Sequence, residues 1–246
     1  MSLTTGLAGL PAFFRLASHQ TVDSTNSEAL RMAAAGAPGG TLVWSRAQDQ
    51  GRGRRGRAWS SPVGNLYCSV LLRDMGYGPA VSHLAFLTAL ALRDGIAAAA
   101  PSVPVRFKWP NDLLVRRRKI AGILIEGGPA ASVVIGTGVN IASHPDGATA
   151  LAFEGAANVG IEDVLTGYAA ALRNWLDLLQ DEGFGAVRAA WLASADGIGA
   201  AIEVRLPTAT LRGTFAELDS EGALLLETES GRHRITAGDV FLEALS

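Results

Sequence analysis

The sequence predicts an α+β fold in which a larger domain is followed by a small all-β domain. Through residues 1–198, β-rich runs alternate with segments that carry apolar residues at helical spacing. After Gly197 and Gly199, short β runs separated by turns remain, which is typical of a small barrel or sandwich at residues 199–246. With 246 residues and 48% hydrophobic content, the chain can bury a core in one or two domains.

The elements of the larger domain follow in order, beginning with a strand over residues 13–19. Cap-forming residues fill 21–26, and Thr25 with Glu28 fits a capping box for a helix that ends near Gly36. The later predictions are strands at 41–47, 65–72, 105–109, 113–115, 120–125 and 133–141, and helices at 79–98, 161–180 and 187–193. In the smaller domain they are strands at 202–206, 211–218, 223–227 and 233–235.

Residues 50–59 combine glycines with four arginines and a tryptophan: Arg52, Arg54, Arg55, Arg57 and Trp59. Arginine presents a planar, permanently charged fork that suits carboxylate and phosphate oxygens, and glycine lets the backbone approach a ligand closely. The whole chain carries a net charge of −2, so the basic charge is local. We therefore expect a loop that binds a small anion, with a solvated basic loop and a nucleic-acid contact as weaker alternatives.

Gly51, Gly53 and Gly56 also spell the G-x-G-x-x-G pattern of dinucleotide-binding proteins. That fingerprint requires a helix directly after the glycines, because the helix N-terminus holds the pyrophosphate. Residues 57–62 have no apolar period and end in a proline. The dinucleotide interpretation therefore fails.

A second motif, KWPND at residues 108–112, precedes KIAGILIE at 119–126. Asp112 offers oxygen ligands for Mg²⁺, although Asn111 and Asp112 are also ordinary turn residues. Lys119 leads directly into an apolar strand, so we expect its ammonium group to point inward while residues 116–118 stay solvated at a hairpin tip.

Composition excludes several classes of protein. The single Cys68 excludes an intrachain disulfide and a multi-cysteine metal site, and its apolar surroundings predict a small buried side chain. The longest uncharged stretches are interrupted by Gly, Pro, Ser, His or Asn, and the N-terminus lacks a signal-peptide pattern. We expect a cytoplasmic protein with no membrane span.

Taken in order, five motifs resemble those of biotin–protein ligases, enzymes that attach biotin to biotin-dependent carboxylases. They are STN at 24–26, Q-x-x-GRGRRGR-x-W at 48–59, KWPNDL at 108–113, KIAGIL at 119–124 and GTGVNI at 136–141. The resemblance covers roughly the first two hundred residues. It implies a class II synthetase-like catalytic domain with a mixed sheet flanked by helices, and a small SH3-like β-barrel at the C-terminus.

The resemblance also implies two steps, biotin adenylation by ATP and transfer to a carrier lysine. It assigns biotin binding to Ser24, Thr25, Asn26, Gln48, Arg52, Gly53, Arg54 and Lys119. It assigns ATP or adenylate binding to Arg55, Arg57, Trp59, Asn111, Gly122 and Asn140, and Mg²⁺ to Asp112. Lys119 and Arg54 are the predicted catalytic residues.

The implied partner is the biotin carboxyl carrier protein domain of a carboxylase, and a homodimer is expected. No segment long enough for a winged helix precedes the first strand, so we expect no DNA binding. Two alternatives remain open: a ligase for lipoate or another carboxylic acid on the same fold, and a non-catalytic module that senses biotin or a nucleotide.

Overall fold

The computed structural model describes residues 7–73 and 81–242. A seven-stranded sheet runs in the order β1-β2-β3-β7-β6-β5-β4, with β1 and β2 parallel and the other neighbours antiparallel. The strands are β1 (Arg15–Val22), β2 (Thr41–Gln48), β3 (Leu66–Leu72), β4 (Val105–Lys108), β5 (Asp112–Val115), β6 (Arg118–Gly127) and β7 (Val133–Val139). The helices are α1 (Thr25–Ala34), α2 (Val81–Ala99), α3 (Ile161–Glu182) and α4 (Phe184–Leu192). The predicted mixed sheet flanked by helices is confirmed.

Helices cover both faces of this sheet because side chains alternate along each strand. In β2, Leu42 and Trp44 belong to the main core with α2, α3 and α4, whereas Val43 packs with Ala29 and Ala33 of α1. The β-strands at the centre of the sheet are therefore buried on both sides.

The packing of α2 against α3 depends on two glycines. A β-carbon added to Gly95 would lie 2.5 Å from the backbone nitrogen of Tyr168, and one added to Gly167 would lie 3.1 Å from the Gly95 carbonyl oxygen. Among the described residues, α2 is the one helix long and apolar enough to cross a membrane, and here it is a core helix. The first two residues of the predicted helix at 79–98 lie outside the described residues.

The C-terminal residues form a five-stranded antiparallel sheet in the order β11-β10-β9-β8-β12, as predicted for a small SH3-like domain. Its strands are β8 (Ala201–Arg205), β9 (Thr210–Leu218), β10 (Leu224–Thr228), β11 (Gly231–Ile235) and β12 (Asp239–Leu242). The sequence analysis missed β12. The Trp109 indole N–H donates to the Gly222 carbonyl at 3.1 Å, so this sheet packs directly on the KWPND segment.

One local prediction, the capping box of α1, is wrong. The N-cap of α1 is Ser24 instead of Thr25, and Glu28 pairs with Arg31 rather than closing a capping box. The helix predicted around residues 187–193 is confirmed as α4, which begins three residues earlier, at the buried Phe184.

Candidate functional site

A cleft of about 250 Å³ lies between the start of α1, the arginine loop and strands β6 and β7. Every predicted site residue except Arg55 lines it. They fall into three groups: the start of α1 with the end of β2, the arginine loop, and the sheet.

The first group forms a polar end of the cleft from Ser24, Thr25, Asn26 and Gln48. Gln48 Oε1 accepts from the Thr25 backbone N–H (2.8 Å) and hydroxyl (3.1 Å), and Gln48 Nε2 donates to the Ser61 hydroxyl at 2.9 Å. An amide nitrogen has two N–H donors. One N–H of Gln48 is therefore left for a ligand.

Asn26 presents a hydrogen-bond acceptor to the cleft, whereas Gln48 presents a donor. Its Nδ2 donates to Glu126 Oε2 (2.6 Å) and the Leu124 carbonyl (3.3 Å), while its Oδ1 accepts from the Ser69 hydroxyl at 2.6 Å. Both donors are thus used, and one lone pair on Oδ1 remains. Together Asn26 and Gln48 offer one acceptor and one donor to a neutral polar group.

Glu126 and Ser69, which orient Asn26, were missed by the sequence analysis. Glu126 also binds the Arg52 guanidinium at 3.0 Å, and Arg52 donates to the Ser27 hydroxyl at 2.7 Å. Glu126 closes the KIAGILIE motif, which was the available signal. The arrangement directs the Arg52 side chain toward the polar end.

The arginine loop is irregular apart from one 3-10 turn, Arg54–Gly56. Arg54 donates to Asn111 Oδ1 at 3.0 Å, and burial lowers its pKa below the usual value. Arg57 and Gly53 also line the cleft. The loop therefore supplies fixed positive charge opposite the sheet.

Lys119 lies on the sheet side, and its ammonium group is 2.6 Å from Asp112 Oδ1. Strict alternation would place Lys119 and Gly122, three residues apart in β6, on opposite faces, yet both line the cleft. The reason is a β-bulge: Leu113 pairs with Ala121 and Leu114 with Lys119, so that Ile120 has no partner in β5. Bulges re-aim side chains in this way beside active sites. The inward orientation expected for Lys119 is confirmed.

The Trp59 indole packs against two glycines, Gly122 of β6 and Gly138 of β7, which are paired across the two strands. A β-carbon on Gly138 would be 2.6 Å from the Trp59 Nε1 atom, and one on Gly122 would be 3.1 Å from the same indole. The Lys119 ammonium stands 5.2 Å from the centre of this ring. Pockets for drug-sized ligands measure about 300–1,000 Å³, so the cleft of about 250 Å³ is small with Trp59 in this position.

Arg55 differs from its predicted placement. It pairs with Asp239 of β12 at 3.0 Å instead of lining the cleft, and Arg57 pairs with the same carboxylate. Asp239 itself lines the cleft. The C-terminal domain thus contributes Asp239 to the site. The sequence analysis missed this residue together with β12.

Arg116–Arg118 are exposed, as expected for a hairpin tip, yet Arg116 and Arg118 also contact a buried carboxylate. Arg118 donates to Glu154 Oε1 at 2.7 Å, and the Glu154 side chain is 1% exposed. The nearby segment also holds Asn140, whose side-chain amide donates to the Thr149 carbonyl at 3.0 Å. The buried carboxylate of Glu154 therefore connects the hairpin tip to the segment that contacts Lys119.

The motif resemblance implies that Asp112 binds Mg²⁺. Within the described residues no group of three or more His, Cys, Asp or Glu side chains is placed to hold a metal. Asp112 has one oxygen engaged by Lys119 and one remaining. This fits the mode in which Mg²⁺ takes one or two carboxylates and completes its shell with phosphate oxygens and water.

Two family models match the chain. The biotin/lipoate A/B protein ligase family matches residues 18–140, and the biotin protein ligase C terminal domain matches residues 197–243. These matches cover both the sheet that builds the cleft and the domain that contributes Asp239.

Relatives and solved structures agree with these models. A biotin--[acetyl-CoA-carboxylase] ligase from Paracoccus denitrificans is 41% identical over 89% of this chain and 97% of its own length. A bifunctional ligase/repressor BirA from Bacillus subtilis is 33% identical over 91% of this chain and 73% of its own. The biotin protein ligase from Aquifex aeolicus, in complex with biotin and ATP, superposes with a TM-score of 0.82 at 25% identity, over 93% of this chain and 98% of that one. The ligase from Leishmania major, in complex with biotinyl-5-AMP, has a TM-score of 0.63 at 26% identity, over 90% and 98% of the two chains.

Proposed function

The chain belongs to the biotin/lipoate A/B protein ligase family, and from that premise we propose how its cleft carries out biotin ligation. It is an ATP-dependent biotin–protein ligase that forms biotinyl-5′-AMP and transfers biotin to a lysine of a carrier protein. The resemblance found in the motifs is thereby confirmed.

The reaction has two steps with balanced bonds. A biotin carboxylate oxygen attacks the α-phosphorus of ATP, the bond to the β-phosphate oxygen breaks, and pyrophosphate leaves. The amine of a carrier lysine then attacks the acyl carbon, the carbon–oxygen bond to AMP breaks, and the amine loses a proton as the amide forms.

The observation that carries the assignment is the polarity of the cleft end built by Asn26 and Gln48. A cyclic urea such as that of biotin has a carbonyl acceptor and two N–H donors. The free N–H of Gln48 and the Ser24 hydroxyl match the carbonyl, and the Asn26 Oδ1 lone pair matches an N–H. The disulfide ring of lipoate offers neither, and a site built to hydrogen-bond one ligand strongly disfavours an analogue that leaves its buried groups unpaired.

The first step brings one anion onto another, so it requires fixed positive charge. Arg54 and Lys119 face the position between the biotin carboxylate and the α-phosphate, and they act by electrostatic stabilisation that needs no rearrangement during reaction. Arg55 and Arg57 bind the nucleotide after exchanging their contact with Asp239 for phosphate oxygens.

The nucleotide end of the site is formed by Trp59, Asn111, Gly122 and Asn140. Gly122 keeps the sheet surface flat enough for a ring to lie on it, and Trp59 leaves that surface to cover the adenine base. The covering indole excludes water from the mixed anhydride. Asp112 is the residue that would hold Mg²⁺, which when bound neutralises charge on the triphosphate.

The partner is the biotin carrier domain of a carboxylase. We further propose a cytoplasmic homodimer, in which a sheet edge pairs between subunits. The edge at β1 is available for such pairing, because β1 has a strand neighbour on one side among the described residues. The division of the chain at residues 198 and 199 stays a prediction.

Biotin-dependent release of pyrophosphate from ATP tests this function, measured with biotin and with lipoate at equal concentrations. Rapid release with biotin and background release with lipoate support the proposal. Equal rates with both acids, or no release with either, contradict it.

A further inference from the structure

Glu154 is a buried carboxylate that contacts no part of the cleft described above. It follows the 3-10 turn Leu151–Phe153, and its side chain is 1% exposed. Its Oε1 accepts hydrogen bonds from the Thr149 hydroxyl at 2.6 Å and from Arg118 at 2.7 Å. Burying a charge is unfavourable unless it is paired and hydrogen-bonded, so Glu154 and its two donors stay together in the folded protein.

Both donors lie beside the bulge that carries Lys119. Arg118 precedes Lys119 in β6, and the Thr149 backbone N–H donates to the Lys119 carbonyl at 2.9 Å. The Thr149 carbonyl in turn accepts from the Asn140 side-chain amide at 3.0 Å. Thr149 therefore connects Glu154 to two residues that line the cleft.

The turn between β5 and β6 is an independent sign of this arrangement. Arg116 (φ 48°) and Arg117 (φ 63°) both adopt the left-handed conformation, which two-residue hairpin turns require and which glycine or asparagine adopts with less strain. Arg116 lies 3.4 Å from Glu154 Oε2, and Arg117 lies 3.9 Å from Asp196. The two residues with left-handed backbone conformation, Arg116 and Arg117, are thus each close to a carboxylate.

We propose that Glu154 is a positioning residue for biotin adenylation, a role that rests on the proposed function. Through Arg118 and Thr149 it holds the bulge in the register that keeps the Lys119 ammonium in the cleft, and it fixes the Asn140 amide beside it. It touches no substrate and acts on the first chemical step through these neighbours.

Two substitutions of Thr149 separate positioning from general stability. Thr149→Val removes the hydroxyl and keeps the shape, whereas Thr149→Ser keeps the hydroxyl. We expect Thr149→Val and Glu154→Gln to lower the kcat of biotin-dependent pyrophosphate release by about 10-fold, since small misplacements of reacting groups have effects of this size or larger. We expect the affinity for biotin alone to change less than kcat in both, and Thr149→Ser to retain the wild-type kcat.

Val187→Ala is the stability control, because Val187 is a buried core residue of α4 outside the cleft. It should lower the melting temperature without changing kcat at a temperature well below that melting point. The proposal is overturned if Glu154→Gln and Thr149→Val keep the wild-type kcat, if Thr149→Ser loses as much as Thr149→Val, or if Val187→Ala loses kcat in proportion to stability. Pyrophosphate release by the wild-type protein is measured alongside the variants. If the wild type releases no pyrophosphate, the proposed function fails rather than the role of Glu154.

Discussion

Replacing Gly136 by alanine should damage biotin binding through Asn26. A β-carbon at Gly136 would lie 2.0 Å from Asn26 Oδ1, and ordinary contact begins at 3.4 Å, so the amide must retreat by about 1.4 Å. That displacement breaks the hydrogen bonds of Asn26 to Ser69 and Glu126, each 2.6 Å long. Gly136 has ordinary strand geometry, so alanine adds no backbone strain.

The size of the effect follows from the two bonds. One neutral hydrogen bond and one to a charged group contribute about 2–4 kcal/mol together. If biotin binding has to restore the native position of Asn26, its Kd rises by about 30- to 700-fold.

Isothermal titration of biotin into the folded variant measures this change directly. Gly127→Ala is the matched control, because nothing lies within 4 Å of the added β-carbon, and its affinity should equal that of the wild type. A Gly136→Ala protein that is folded and binds biotin as tightly as Gly127→Ala would refute the reasoning.

Three further predictions concern charge, the loop and pH. Lys119→Ala should slow biotin-dependent pyrophosphate release by about 100- to 1,000-fold. The urea midpoint should change little, because the partly exposed ion pair of Lys119 with Asp112 contributes only about 0.2–1 kcal/mol. A rate of release within tenfold of wild type would contradict this prediction. Trypsin should cut the loop at residues 50–59 more slowly when biotin and ATP are present, since the adenylate orders its arginines, and equal cutting rates would count against closure. Burial raises the pKa of Cys68 from 9.0 to about 12, so this thiol stabilises the fold fully below pH 9 and loses that contribution as the pH rises toward 12. Urea unfolding of Cys68→Ala should therefore depend less steeply on pH over this window than wild type, and identical slopes would show the shift to be absent.

Most strands of the large sheet could be predicted because they are apolar runs bounded by glycine, proline or charged turns, even where they are only four residues long. The buried state of Cys68 follows from the same pattern and is confirmed, since its exposure is zero. The cleft residues could be predicted because they lie in short local motifs that resemble those of biotin–protein ligases. Ser24–Asn26 start a helix, the arginines share one loop, and Lys119 opens a strand.

What could not be predicted depends on contacts between distant segments. Asp239 reaches Arg55 across more than 180 positions, and no local pattern in β12 marks that approach. The bulge at Ile120 is invisible in the apolar run that contains it, although it decides which way Lys119 points. Glu154 follows a run without helical or strand periodicity, and its burial is visible only once Arg118 and Thr149 are seen around it.

The central claim is that this cleft activates biotin and passes it to a carrier lysine. Intact-mass measurement of a biotin carboxyl carrier domain, incubated with the protein, ATP, Mg²⁺ and either biotin or lipoate, tests it most directly. We expect a single biotinyl group on the carrier with biotin, no adduct with lipoate, and no adduct when the acceptor lysine is replaced by arginine. An unmodified carrier in the biotin reaction, or equal modification by lipoate, would contradict the account.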